Sequence, residues 1–455
     1  MENNTEQQIQ RGLKNRHIQM IALGGAIGTG LFYGSAAMVK MAGPAITLSY
    51  VIGGIVILFI MRALGEMSVD QPVSGSFSHY AYQYWGELPG FIAGWNYWFN
   101  YVVVAMAELS VVGIYINYWF PDIPTWISAL TCLLAVTLIN TVNVKAFGEF
   151  EFWFAIIKVA AIIGMIVLGA AIILFGLGNS GHAVGVSNLW AHGGFFPNGL
   201  KGVVLSLVLV MFSFGGVELV GITAGEAENP QKSIPQAINQ VVWRILLFYI
   251  GGLMTILMIF PWNQMETTGS PFVQIFSHVG ISSAAHVLNF VVLTAALSAY
   301  NSALYSNGRM LYGLAVQGNA PRIFSRLNAA GAPVTAVLVS SAFTLLTVLL
   351  SYLNPEKVFM YFMSLATISI IINWTIILIV QIKFRKHKQR EAAQLHFKMP
   401  FYPVSSYISL AFLAFVVAIM AFLPDVRFSL YVAPVWLLCL YIGYKLKPAP
   451  AKRSE

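Results

Sequence analysis

The sequence predicts an all-α integral membrane protein of twelve transmembrane helices, the first and sixth broken, and three observations carry that prediction. Hydrophobic residues make up 58% of the 455-residue chain and charged residues only 9%, against about 25% charged in a soluble domain. Apolar stretches long enough to cross ~30 Å of hydrocarbon recur along the whole chain. Two of those stretches are interrupted near their centres by clustered glycines. A soluble multi-domain reading fails, because 25 basic and 17 acidic side chains cannot solvate the surface of so long a chain. Nucleic-acid binding, disorder and a disulfide scaffold fall with it. The net charge of +8 comes from a few loops, and Cys132 and Cys439 each sit inside an apolar run, where they are expected to be reduced.

In chain order, spans are expected near 18–39, 44–64, 91–119, 125–143, 152–176, 202–224, 241–260, 284–312, 333–352, 357–383, 402–423 and 428–446. The first follows a basic stretch (Arg11, Lys14, Arg16) and lacks a small-residue cleavage exit, so it reads as a retained helix and not a signal peptide. The third and eighth are long enough to need tilt. The expected layout is a cytoplasmic tail over 1–17, five helices over 18–176, an external glycine-rich loop over 177–201 and five helices over 202–383. A basic cytoplasmic loop over 384–401, two helices over 402–446 and a cytoplasmic tail over 447–455 complete it.

Basic residues set the orientation. Of the 25 Lys and Arg residues, twenty fall in segments on one side, Arg244 counted among them. Lys40, Lys201, Lys357 and Arg427 fall on the other, and Lys158 lies inside the fifth span. The rich side is expected to be cytoplasmic and to hold both termini. The run from Lys383 to Lys398 reads first as a solvated loop supplying positive-inside charge, with a lipid- or partner-binding patch as the alternative.

The informative places are those where the membrane pattern is violated. The first span reads Ala22-Leu23-Gly24-Gly25-Ala26-Ile27-Gly28-Thr29-Gly30-Leu31-Phe32, and the sixth reads Phe212-Ser213-Phe214-Gly215-Gly216-Val217-Glu218. Each glycine costs about 1 kcal/mol relative to alanine inside a helix, so both segments are expected to open. Close packing through small residues is the alternative for one such helix alone. Two interrupted helices in corresponding positions of two halves point instead to an inverted-repeat secondary transporter. There, half-helix N-termini face an anionic group and freed carbonyls face a cation. Gly28-Thr29-Gly30 is not a dinucleotide fingerprint, since its next glycine, Gly34, comes one position late and no strand precedes it. No zinc-protease histidine pair and no nucleophile elbow occur, so no catalytic set, metal site or cofactor is expected.

Glu108 in the third span, Lys158 in the fifth and Glu218 at the sixth-span break lie away from span ends. Each would cost about 2.5–3.5 kcal/mol at mid-bilayer, which makes function the default reading of all three. Their structural alternatives are a snorkelling lysine and carboxyl groups held protonated or facing water. The aromatic cluster from Trp95 to Tyr101 reads mainly as interface anchors, whereas Phe212 and Phe214 flank an opened backbone and could cover a solute.

The breaks, read with the rest of the chain, closely resemble the bacterial amino acid permeases of the amino acid–polyamine–organocation superfamily. Ala42-Gly43-Pro44 opens the second span, and Gly65-Glu66-Met67-Ser68-Val69-Asp70-Gln71-Pro72 closes it with a G-E-x5-P ending. The third span carries Gly94-Trp95-Asn96-Tyr97-Trp98-Phe99 and Ala107-Glu108-Leu109. Gly225-Glu226-Ala227-Glu228-Asn229-Pro230 and Lys232-Ser233-Ile234-Pro235 follow the sixth, and Arg309-Met310-Leu311-Tyr312-Gly313 and Gly318-Asn319-Ala320-Pro321 end the eighth. The segments around Gly148–Phe154, Pro261-Trp262-Asn263-Gln264 and Leu297-Ser298-Ala299 look most like the proline-specific group with its histidine permeases, while Glu108 looks like the aromatic and GABA branches.

The resemblance implies five-plus-five inverted repeats, helices 1–5 against 6–10, with helices 11 and 12 peripheral, in a bacterial inner membrane. It implies that a substrate carboxylate meets the backbone of Ala26, Ile27, Gly28, Thr29 and Gly30. The amino group would meet carbonyls near Phe212, Ser213 and Phe214, with Gly215, Gly216 and Glu108 lining the site. It also implies proton coupling through Lys158, standing where sodium-dependent relatives bind a cation and reaching a carbonyl near Gly24 or Gly25 and the Ser298 hydroxyl, with Glu218 coupling closure of the break. The expected function is import of an L-amino acid by proton symport, histidine or proline first and other neutral or aromatic amino acids second, with amino acid exchange as the alternative. The partners are then the amino acid, the proton and the lipid bilayer.

Overall fold

The structure, a computed structural model, describes residues 27–73, 76–142, 144–177, 181–222, 229–267, 269–328, 331–355, 357–388 and 395–447. Among them every regular element is helical. Eight helical stretches are long and apolar enough to cross a membrane, and three shorter apolar helices accompany them. The chain is a multi-pass membrane protein.

The described part of the first span starts in irregular backbone at Ile27 and Gly28 and winds into a π-helical turn, Gly30–Gly34, and a helix, Ser35–Ala42, together α1. Gly43, at φ +59°, and Pro44 turn the chain directly into α2, Ile46–Asp70. Only glycine adopts that backbone angle without strain, which is why two spans can join with so short a link. Then come α3 (Glu87–Asn117), α4 (Thr125–Val142) and α5 (Val144–Phe175). The second half holds α6 (Gly199–Ser213), α7 (Pro230–Ile259), α8 (Ser282–Val316), α9 (Val334–Leu353) and α10 (Val358–His387), followed by α11 (Val404–Met420) and α12 (Ser429–Leu446).

α3 is the central post, packed against α8 and α10. Polar groups fasten it there: the Asn96 amide donates to the Ser369 carbonyl at 2.9 Å and to Asn373 Oδ1 at 2.8 Å. With no water in the bilayer core, such pairings both satisfy the amide and fix the helices' rotation. The segment before α6 crosses over the ends of α1 and α7, where Asn198 donates to the Met41 carbonyl at 2.9 Å and Trp262 to the His192 carbonyl at 2.9 Å. It forms a lid of loop with one short helix, Asn188–Ala191.

Two expectations change. Arg244 does not belong to a basic membrane face: α7 begins at Pro230 and not near 241, so Arg244 lies near its middle, buried. The basic stretch that was expected to start a loop at 384 continues α10 to His387. There Arg385 ion-pairs with buried Glu66, and Lys388 Nζ stands 2.8 Å from Asp70 Oδ2. Glu66 Oε2 also accepts from Gln381 at 3.3 Å and from the Met399 N–H at 2.8 Å. A carboxylate taken out of water needs this many donors, and the result ties the end of α2 to α10 and to the segment entering α11.

Candidate functional site

The sixth-span break is present as expected. α6 stops at Ser213, residues 214–218 form turns, and a short helix resumes at Leu219–Ile222. Gly216 sits at φ +93°, in the left-handed region that a side chain disfavours. At the first-span break Ile27 and Gly28 are non-helical and the Gly28 carbonyl accepts the first turn's N–H groups from Leu31 and Phe32, both at 3.2 Å. Ala26, Gly24 and Gly25 lie outside the described residues.

The two breaks touch. A Cβ placed on Gly30 would stand 2.8 Å from Ser213 Cα and 3.3 Å from the Phe212 ring. Two opened backbones can come this close only where one has no side chain, and the contact sets the N-terminal end of α1 against the C-terminal end of α6. The Ser213 carbonyl already accepts from the Tyr249 hydroxyl at 2.7 Å, and the Phe212 carbonyl accepts from the Gly215 N–H at 2.9 Å. Phe214 packs away from that edge, against Tyr50 and Tyr249.

Glu108 comes to the same place from α3. Its carboxylate accepts from the Thr29 hydroxyl at 3.0 Å and from the Thr29 N–H at 3.3 Å, and its Oε1 would lie 2.6 Å from a Cβ on Gly28. A carboxylate at a helix N-terminus is where the backbone dipole favours it. Glu218 caps the other break: its Oε2 accepts from the Gly216 N–H at 3.2 Å and its Oε1 from the Tyr97 hydroxyl at 3.3 Å. Tyr101 stands 3.2 Å from the Tyr97 hydroxyl, and Trp374 flanks the same carboxylate.

Lys158 is fully buried on α5, within electrostatic reach of Glu151 and Glu108. Ser298, expected to meet the lysine, donates to Glu151 Oε2 at 2.8 Å, and Ser302 donates to the same oxygen at 2.9 Å. The physical reason is that a carboxylate only accepts, and two hydroxyls one turn apart on α8 present donors along a single face. The serine therefore reaches a carboxylate that accompanies the lysine. Sequence reasoning missed Glu151 because it fell at a span boundary. Its spacing of seven residues from Lys158, two turns on the same helical face, was the available signal.

Aromatic rings cover the α1 side of the site. Tyr33 packs edge-on to Phe359 at 4.8 Å between centroids and to Tyr115 at 6.4 Å, and Phe359 meets Phe212 at 6.0 Å. Of the aromatics singled out in the sequence, Phe212 belongs to this cover. Tyr33, Tyr115 and Phe359 carried no signal separable from ordinary membrane aromatics. Among the described residues, no group of three or more His, Cys, Asp or Glu side chains could hold a metal ion.

A family model described as amino acid permease matches residues 17–452. The chain is 54% identical over 440 residues to the "uncharacterized amino acid permease YtnA" of Bacillus subtilis, covering 96% of this chain and 95% of that one. It is 53% identical over 446 residues to the aromatic amino acid transport protein AroP of Escherichia coli K12, covering 98% and 97%. It is 52% identical, with the same coverage, to the AroP of Salmonella typhimurium LT2.

Proposed function

The chain belongs to the amino acid permease family, and from that premise we propose that it imports aromatic L-amino acids across the bacterial inner membrane by proton symport, both termini facing the cytoplasm. One observation carries the reading: the contact of the two breaks, in which the start of α1 at Gly30 lies against the end of α6 at Ser213. An α-amino acid presents a carboxylate and an ammonium on one carbon, and those two backbone ends match them. The residues proposed for the site are Ile27, Gly28, Thr29 and Gly30 at the start of α1, Phe212 and Ser213 at the end of α6 and Gly215 in the break that follows, with Glu108 beside them. Lys158, with Glu151 and Ser298, and Glu218 at the other break, are proposed to couple the proton. Residues 18–176 and 202–383 are proposed as the two inverted repeats that rock against each other.

Histidine or proline led the reading of the sequence, with aromatic amino acids second. Relatives named for aromatic amino acids at about half identity, and a site roofed by Tyr33, Tyr115, Phe212 and Phe359, favour the aromatic class. The test is uptake of labelled phenylalanine into proteoliposomes with every proteinogenic amino acid as competitor. Competition by tyrosine and tryptophan supports the reading; competition by histidine or proline alone overturns it. Exchange predicts loading that needs an internal amino acid and ignores a proton ionophore.

A further inference from the structure

Tyr115 presents a polar atom that nothing described in the protein uses. The side chain is buried, and its hydroxyl has no hydrogen-bond partner, whereas its backbone carbonyl is fastened by the Asn289 amide at 2.9 Å. A buried hydroxyl without a partner is unfavourable, so its retention calls for an explanation.

Its position supplies one. Tyr115 follows Glu108 by seven residues, two turns along α3 on the same face, roughly 10 Å further on. Tyr33 follows Thr29 by four residues on α1 and meets the Tyr115 ring edge-on. Side chains lean toward the N-terminal end of their own helix. By that rule Tyr115 leans back toward Glu108 and Tyr33 back toward Thr29, the two residues joined at the α1 terminus. Tyr33 and Glu108 are the charged or titratable groups within electrostatic reach of the Tyr115 hydroxyl.

We infer that the Tyr115 hydroxyl reads the far end of the substrate's side chain, hydrogen-bonding an aromatic ring that carries a polar atom. The tyrosine phenol and the tryptophan indole N–H both fit, because a hydroxyl donates and accepts. Phenylalanine offers neither group and gains only the ring contacts. A site built around such a hydroxyl selects for the substrate that satisfies it. The inference rests on the proposed aromatic specificity and deepens it by naming the discriminating atom.

The experiment is competition against labelled phenylalanine uptake by the full chain in proteoliposomes, parent beside Tyr115→Phe. The variant is expected to raise the tyrosine concentration for half-inhibition about five- to tenfold, the size of one neutral hydrogen bond, and to leave the phenylalanine KM within about twofold. Tyr352→Phe, the control at an exposed ring on α9, is expected to shift neither. If Tyr115→Phe moves tyrosine and phenylalanine together, or moves neither, the inference is wrong while the aromatic reading stands. If the parent carries no aromatic amino acid, the aromatic reading itself falls and this inference with it. Should the variant insert poorly, the parent alone decides: tyrosine must compete more strongly than 4-fluorophenylalanine, which matches its length without an O–H, and equal competition overturns the assignment.

Discussion

Glu108 holds Thr29 twice, accepting its hydroxyl at 3.0 Å and its N–H at 3.3 Å, so a carboxylate of the protein already stands at the half-helix terminus proposed for the substrate's carboxylate. Two carboxylates cannot share those donors while both are charged. Glu108→Gln keeps the shape and removes the charge. The expected outcome is substrate exchange retained within about threefold and proton-driven accumulation lost, measured by counterflow and by uptake under an imposed pH gradient. Equal losses in both assays would make Glu108 a purely structural contact.

Glycine substitutions at the first break should differ in severity. An added methyl at Gly28 meets the end of a flexible side chain, Glu108 Oε1, whereas at Gly30 it meets the backbone of Ser213. Gly28→Ala should insert normally and weaken transport, and Gly30→Ala should also lower the amount of folded protein, because overpacking against backbone typically costs about 1–3 kcal/mol. Detergent-solubilised melting curves would show the difference, and a Gly30→Ala protein as stable as the parent would count against the contact between breaks.

Lys158→Ala and Glu151→Gln should both uncouple uptake from protons. One proton crossing ~100 mV contributes about 2.3 kcal/mol, roughly fifty-fold accumulation of a zwitterion, and that margin is what the variants are expected to lose. Parent uptake should rise as external pH falls, by mass action on the co-transported proton, and should be indifferent to sodium. Sodium dependence of the parent, or accumulation undiminished in Lys158→Ala, would move the coupling elsewhere.

For Glu218, tied to Gly216 and Tyr97 across the α6 break, the substitution to Gln is expected to keep binding and impair accumulation. Uptake that stays at the parent's level across roughly pH 5.5–8 would mark the residue as a structural cap.

The Glu66–Arg385 pair is a stability prediction. Removing one partner of a buried ion pair costs about 3–5 kcal/mol, whereas removing both is far milder. Arg385→Ala should therefore melt markedly earlier than Arg385→Ala combined with Glu66→Gln, and a double variant worse than the single would exclude the pair as the cause.

Much of this protein was written in local pattern. The spans follow from apolar length alone, since hydrocarbon leaves a backbone only the helix or the closed barrel to satisfy its N–H and C=O groups, and runs of about twenty apolar residues fit the helix. The glycines at 215 and 216 announced the α6 break for the same reason, as did Glu108, Lys158 and Glu218 the interior, because a charge inside a membrane is too unfavourable to be incidental. The start of α7 was missed because its first turns are polar, and Arg244 was misplaced with it.

Only the tertiary structure decided which of these groups meet. That Gly30 faces Ser213, that Glu108 caps Thr29, and that Glu151 takes both Ser298 and Ser302 are relations between helices far apart in the chain. A helical period fixes the face a residue lies on and nothing about which helix that face will meet. The roof of Tyr33, Tyr115 and Phe359 was invisible for a further reason. In a membrane protein aromatics are abundant on lipid-facing and buried surfaces alike, so composition cannot separate a ring that anchors the bilayer from one that closes over a substrate.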